Sequence, residues 1–265
     1  MKKIISIALV VVLAVSMLAT FAACGTKQET EKPADTKTTL VMATNAKFPP
    51  YEFYGDDGNL TGIDVEIAGK IAEKLGMKLE IVDVEFDTII AGVAGINGEA
   101  KYDIGMAGMT ITEERKKSVN FSETYQTAKQ VVIVKADSKI VDPKEDIKSD
   151  GSMKIGVQLG TTGDIYAVDA YGKDNVVEFE SGADAVQALV NDKVQAVIID
   201  NEPAKNYVKT IDGTKILDVA FEDEKYAICV NKNNSELLEK INAALAELKA
   251  DGTLQSIIDK YIKAE

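Results

Sequence analysis

Two eighteen-residue stretches of this chain follow the same plan. AGVAGINGEAKYDIGMAG, ending at Gly108, and DAVQALVNDKVQAVIIDN, ending at Asn201, each read as helix, short turn, then strand, with polar residues just past the strand end. Strand and helix patterns alternate around both copies, which points to α/β architecture with mostly parallel sheets. The repetition predicts two similarly built lobes, each presenting the carboxyl end of a strand. Open α/β sheets hold their ligands at such ends.

Element by element, residues 39–44 form a short apolar strand. Asp64 is expected to cap a helix carrying Ile67, Ile71 and Leu75 and ending at Gly76. A strand at 79–84 precedes a helical stripe of Phe86, Ile89, Ile90 and Val93, then a strand at 103–106. In the second half a strand at 154–157 leads through Gly160-Thr-Thr-Gly163 into a helix reaching Tyr171. A helix near 185–190 precedes a strand ending at Asp200. Leu238, Ile241, Leu245 and Leu248, then Ile257, Ile258 and Tyr261 beyond a break at Asp251-Gly252, make core-facing stripes with no chemistry assigned.

Composition narrows the function. A 46% hydrophobic and 28% charged chain is that of a soluble globular protein. Its net charge of −13 argues against a nucleic-acid partner. It contains no histidine, which rules out His-based triads, imidazole proton shuttles and His-ligated zinc. No metal or cofactor is expected. Of 30 basic residues only Arg115 is an arginine, in the small-residue and hydroxyl-rich segment Ala107-Gly-Met-Thr-Ile-Thr-Glu-Glu-Arg115. A guanidinium fork grips a carboxylate through two parallel hydrogen bonds, which lysine cannot do. Arg115 is a ligand clamp on this view, or else a helix-surface cation paired with Glu113 or Glu114.

At the N-terminus, Lys2 and Lys3 precede an apolar run from Ile4 to Phe21 and the sequence Ala22-Ala23-Cys24. The layout is that of a secretory signal, and Phe21-Ala-Ala-Cys24 resembles the bacterial lipobox. By that resemblance residues 1–23 are a lipoprotein signal peptide and Cys24 is the acylated first residue of the mature protein. Residues 24–37 are a polar, flexible tether.

Gly62-Ile-Asp-Val-Glu-Ile-Ala-Gly-Lys-Ile-Ala72 resembles the signature of extracellular solute-binding proteins of polar amino-acid ABC transporters. Thr44 to Phe53, Ala107 to Ser122, and Ala250-Asp-Gly-Thr253 with Lys260-Tyr261 match further family segments in the same order. The resemblance implies a two-lobed periplasmic-binding-protein-like α/β fold, with the ligand cleft between lobes joined by two crossover strands. Lobe one is then 38–125 plus 224–265, lobe two 129–220, and the crossovers 126–128 and 221–223.

In that family frame Arg115, with Thr110 and backbone groups near Thr161 and Thr162, takes an amino acid's carboxylate. Asp200, the Gly108 carbonyl and the Thr110 hydroxyl take its ammonium. The bland alternative for Asp200 is a helix cap. Phe48, Tyr51 and Phe86 form aromatic walls, Ala107 lies in the binding segment, and Asn45 and Gln158 sit at the side-chain subsite. Met106 and Met109 are read as packing. Two amides favour a neutral polar ligand such as glutamine, with cysteine or cystine open and arginine as runner-up. The implied partners are a free amino acid, an ABC permease with its ATPase, and the cell membrane through the lipid, around a monomeric protein. A lipid-anchored amino-acid receptor, and a dehydratase on the same fold using Glu52 or Asp87, remain alternatives.

Overall fold

The structure, a computed structural model, describes residues 37–95 and 99–263. The expectations for the signal peptide, Cys24 and the tether up to residue 36 lie outside the described residues.

In chain order the strands and helices begin with β1 (Thr39–Thr44), β2 (Lys47–Phe48), β3 (Glu52–Tyr54), β4 (Leu60–Thr61), α1 (Ile63–Lys74) and β5 (Lys78–Asp83). Next come α2 (Ile89–Ala94), β6 (Ile104–Gly105), α3 (Glu113–Lys116), β7 (Val119–Phe121), β8 (Gln126–Lys135) and α4 (Pro143–Asp146). The second lobe supplies β9 (Ile155–Gln158), α5 (Thr162–Tyr171), β10 (Val176–Phe179), α6 (Gly182–Val190), β11 (Ala196–Asp200) and α7 (Asn201–Thr210). The chain returns through β12 (Thr214–Tyr226) to β13 (Cys229–Asn231), α8 (Ser235–Ala250) and α9 (Thr253–Tyr261).

The repeated plan becomes two five-stranded sheets, ordered β5-β1-β6-β13-β7 and β10-β9-β11-β8-β12. In each, the second strand pairs in parallel with both neighbours, β1 with β5 and β6, β9 with β10 and β11. Two antiparallel strands complete each sheet. Strands β8 and β12 pair over most of their length, from Thr214 with Lys135 to Tyr226 with Gln126. They carry the chain out of the first lobe and back.

Alternation along a strand decides which core each side chain joins. On β8, Val131 and Ile133 pack into a cluster that also holds Val197 and Ile199, while Val132 and Val134 join Val157, Ala167 and Ile198 on the opposite face. In the first lobe Leu40 and Met42 lie under α1, and Ala43 faces Ile89, Val93 and Cys229. Met106 and Met109 are fully buried in these cores.

Helix α1 departs from the expected start. Its N-cap is Gly62, with φ 125°, and a Cβ there would lie 2.1 Å from the Tyr51 carbonyl oxygen. Only glycine fits that approach. Asp64 lies inside the first turn, fully buried, and accepts hydrogen bonds from Gly108 N (2.9 Å) and the Tyr125 hydroxyl (2.8 Å). It ties the helix to the first lobe's ligand segment instead of capping it.

Candidate functional site

The carboxyl ends of β1, β6, β9 and β11 converge on a small, closed cavity between the lobes. From the first lobe, Asn45, Phe48, Phe86, Ala107, Gly108, Thr110 and Arg115 line it, as does Glu52. From the second come Gln158, Thr161, Thr162 and Asp200. Tyr51 is the one expected wall residue outside the lining. It is fully buried behind Phe48, stacked on that ring at 5.8 Å and set edge-on to Tyr226 at 5.1 Å.

Arg115 rises from α3, whose first turn is capped by the Thr112 hydroxyl accepting from Arg115 N at 3.1 Å. Its guanidinium donates from Nη1 to Thr110 O (2.7 Å) and from Nη2 to Gly160 O on the other lobe (3.1 Å). The guanidinium carbon lies 5.4 Å from the Phe86 ring centroid. Burial lowers its pKa, and the charges of Glu224 and Asp200 oppose that shift. Two of five donors are spent on carbonyls, and three remain for a ligand. Neighbouring Glu113 and Glu114 pair with Lys116 and Lys117 on the solvent side.

Gly108 turns the chain with φ 51°, and a Cβ there would press within 2.7 Å of Phe48 Cε1. The glycine lets backbone and aromatic wall share the same space.

On the second lobe, Thr161 caps α5. Its hydroxyl accepts from Asp164 N (3.2 Å) and donates to Gln158 O (2.8 Å), and Asp164 accepts in return from Gly160 N (3.2 Å). The Thr161 hydroxyl is thus committed to the helix end. That helix end brings free N–H groups and a positive dipole end to the cavity rim.

Asp200 occupies the N-cap position of α7 and makes no side-chain cap bond there. Its carboxylate instead accepts a short hydrogen bond from the Tyr226 hydroxyl, at the end of the returning strand. Burial and the nearby Glu224 carboxylate raise its pKa, and the Tyr226 bond counters them. The Gln130 amide also bonds it, and a carboxylate with these two donors has capacity left for an ammonium.

At the far end of the cavity, Gln158 Nε2 donates to Asn45 Oδ1 across the cleft (2.9 Å) and to Glu180 O (3.2 Å). Asn45 Nδ2 donates to Val84 O (2.7 Å). Glu52 is fully buried; no N–H or hydroxyl among the described residues donates to its carboxyl, which shares a hydrogen bond with Asp64. Burial first, then the Asp64 charge, lift its pKa well above the carboxylate range, while burial raises Asp64 to about 6.

Sequence reasoning did not select Glu224, Gln130 or Tyr226. All three lie on the long crossover strands, and the available signal was a lone polar residue, Gln130, at the head of an apolar run.

The geometry sets a guanidinium from one lobe and a buried carboxyl from the other at one cavity. Residues 40–264 match the model of bacterial extracellular solute-binding proteins, family 3. The chain belongs to that family. This solute-binding protein is 34% identical over 265 residues to the arginine-binding extracellular protein ArtP of Bacillus subtilis (strain 168), spanning 96% of this chain and 97% of ArtP. Two solved structures of an ancestral arginine-binding protein, one bound to glutamine and one to arginine, are each 42% identical to it. Their TM-scores are 0.78 and 0.79, and they cover 86% and 85% of this chain and 99% of their own. The ancestral amino acid-binding protein AncCDT-1, a precursor of cyclohexadienyl dehydratase, is 37% identical with a TM-score of 0.77, covering 85% of this chain and 96% of its own. Membership fixes the two-lobed periplasmic-binding-protein fold and an extracytoplasmic setting. Among the described residues no helix is long and apolar enough to cross a membrane.

Proposed function

We propose that this solute-binding protein closes its lobes on a polar α-amino acid and delivers it to an ABC permease powered by a separate ATPase. One observation carries the reading: Arg115 and Asp200, on opposite lobes, line one cavity. A free α-amino acid places its carboxylate and ammonium a single carbon apart and so satisfies both. The lobe limits of 38–125 with 224–265, and 129–220, with crossovers at 126–128 and 221–223, are part of the proposal. The pairing of β8 with β12 across those limits supports them.

The side-chain subsite favours arginine, with glutamine second. Gln158 spends both amide hydrogens within the chain, and Asn45 spends one. What the two amides leave for a ligand is mainly oxygen, so a donor-rich side chain fits best. The neutral preference read from the sequence counted those amides as free donors. Relatives named for arginine, and an ancestral protein captured with either ligand, support the same pair of candidates.

The test is side-by-side calorimetric titration of L-arginine and L-glutamine after refolding to strip bound ligand. Arg115→Ala leaves the ligand carboxylate unpaired in a closed cleft and should cost about 2–5 kcal/mol of binding. Binding by that variant within a few-fold of wild type would remove the clamp.

A dehydratase is the second reading, because Glu52 is a buried carboxyl with a raised pKa lining the cavity and AncCDT-1 shares the fold. Absence of water loss from prephenate or arogenate under saturating protein would dismiss it. We also propose that Cys24 carries the lipid. Cys24→Ser should then release the protein from membranes or leave the precursor uncleaved.

A further inference from the structure

Three threonines line the cavity; the Thr161 hydroxyl is spent on its helix end, and those of Thr110 and Thr162 can serve a ligand either as donor or as acceptor. Which sense each adopts is decided by what lies behind it. Behind Thr110 stands Glu224 on β12, and the Thr110 hydroxyl donates to Glu224 Oε2 at 2.9 Å. Behind Thr162 stands Gln130 on β8. Its Nε2 donates to Thr162 Oγ1 at 3.3 Å and to the same Glu224 Oε2 at 3.2 Å. All four side chains are more than nine-tenths buried.

With Glu224 ionised the orientation of this chain of bonds follows, and a proton shared with the adjacent Asp200 carboxyl lies on Asp200. A carboxylate only accepts, so Thr110 and Gln130 must each present a hydrogen to it. Turning the Gln130 amide over would set its oxygen against the carboxylate. With its hydrogen spent on Glu224, the Thr110 oxygen has only lone pairs to offer the cavity. With its oxygen accepting from Gln130, the Thr162 hydroxyl has its hydrogen to offer.

Resting on the reading that the cleft holds an α-amino acid, we propose that Glu224 and Gln130 are positioning residues that set the hydrogen-bond sense of the two threonines. Thr110 is held as an acceptor for the ligand's ammonium, beside Asp200. Thr162 is held as a donor for its carboxylate, beside Arg115. The hinge strands thereby read the amino acid's head group from behind, without touching it. The same arrangement disfavours a ligand that has a carboxylate and no ammonium, since Thr110 then meets no hydrogen.

The experiment compares two ligands on two proteins. Wild type and Glu224→Gln are titrated with L-arginine and with 5-guanidinopentanoic acid, which keeps the carboxylate and guanidinium and lacks the ammonium. If wild type prefers L-glutamine, the pair is L-glutamine and glutaramic acid. Glu224→Gln should bind the amino acid at least ~10-fold more weakly, which is about 1.4 kcal/mol, and lose several-fold less with the deaminated analogue, which feels the change only through Thr162. Thr110→Val should show a ligand-selective loss, and adding Glu224→Gln to it should then weaken the amino acid and its analogue equally, through Thr162. The Thr110→Val comparison stands by itself if Glu224→Gln does not fold. Equal losses for both ligands would make Glu224 a merely structural hinge residue and overturn the proposal, as would no loss for either. Wild type that binds no amino acid would instead remove the reading of the cleft, and this proposal with it.

Discussion

Glu52 and Asp64 are two fully buried carboxyls with raised pKa values, and their protons couple the fold to pH. The native state holds protons at pH values where the unfolded chain has already released them. Stability is therefore greatest near the ordinary carboxylate pKa and falls as pH rises through about 6, where Asp64 ionises, and further as Glu52 follows. Glu52→Gln keeps a hydrogen donor beside Asp64 without the ionisable proton. It should match wild type near pH 5 and be more stable than wild type at pH 8 in urea melts of the ligand-free protein. Parallel stability curves across that range would refute the assignment. Arg115 stands out in the sequence as the lone arginine, whereas Asp200 is marked mainly by the family resemblance, and the structure puts both at one cavity. Glu52 was visible only as a spare charge, since nothing local shows that Tyr51 turns inward and leaves Glu52 at the cavity.

Helix α5 shows how an element carries a site. Gly160-Thr-Thr-Gly163 was readable as a loop opening a helix, and the structure assigns the cap to Thr161. Thr161→Ala removes the acceptor for Asp164 N and should cost about 1 kcal/mol of stability. It should also weaken ligand binding by loosening the helix end at the cavity. Thr161→Ser should restore both in paired thermal melts and titrations, and failure to do so would place the effect elsewhere. The major helices and parallel strands were legible because their apolar spacing is long enough to repeat. The small β2-β3-β4 sheet was not, since strands of two or three residues have no period to read. Asp64 misled for a different reason. An acid just ahead of an apolar helical stripe looks like a cap, and only the tertiary partners Gly108 and Tyr125 give it another role.

At the scale of the whole molecule the lobes are shut on each other. Arg115 reaches Gly160 O, Gln158 reaches Asn45, and the Tyr207 hydroxyl donates to Lys47 O at 2.8 Å, all across the cleft. Such contacts belong to a hinge-closed state, which ligand favours because it touches both lobes. Adding the preferred amino acid should lower the radius of gyration in small-angle scattering. Tyr207→Phe should weaken binding by about 0.5–1.5 kcal/mol without altering which ligand is preferred. A scattering profile unchanged at saturation would mean that closure does not depend on ligand.

The last strand made, β13, lies inside the first sheet, between β6 and β7. A sheet begun at Thr39 therefore stays split until Asn231 has been synthesised, with unpaired edges on β6 and β7. Open edges invite both aggregation and proteolysis. A prematurely terminated chain thus cannot pass as a finished one: it lacks the wedge that joins its own first sheet, and a protease can tell the difference.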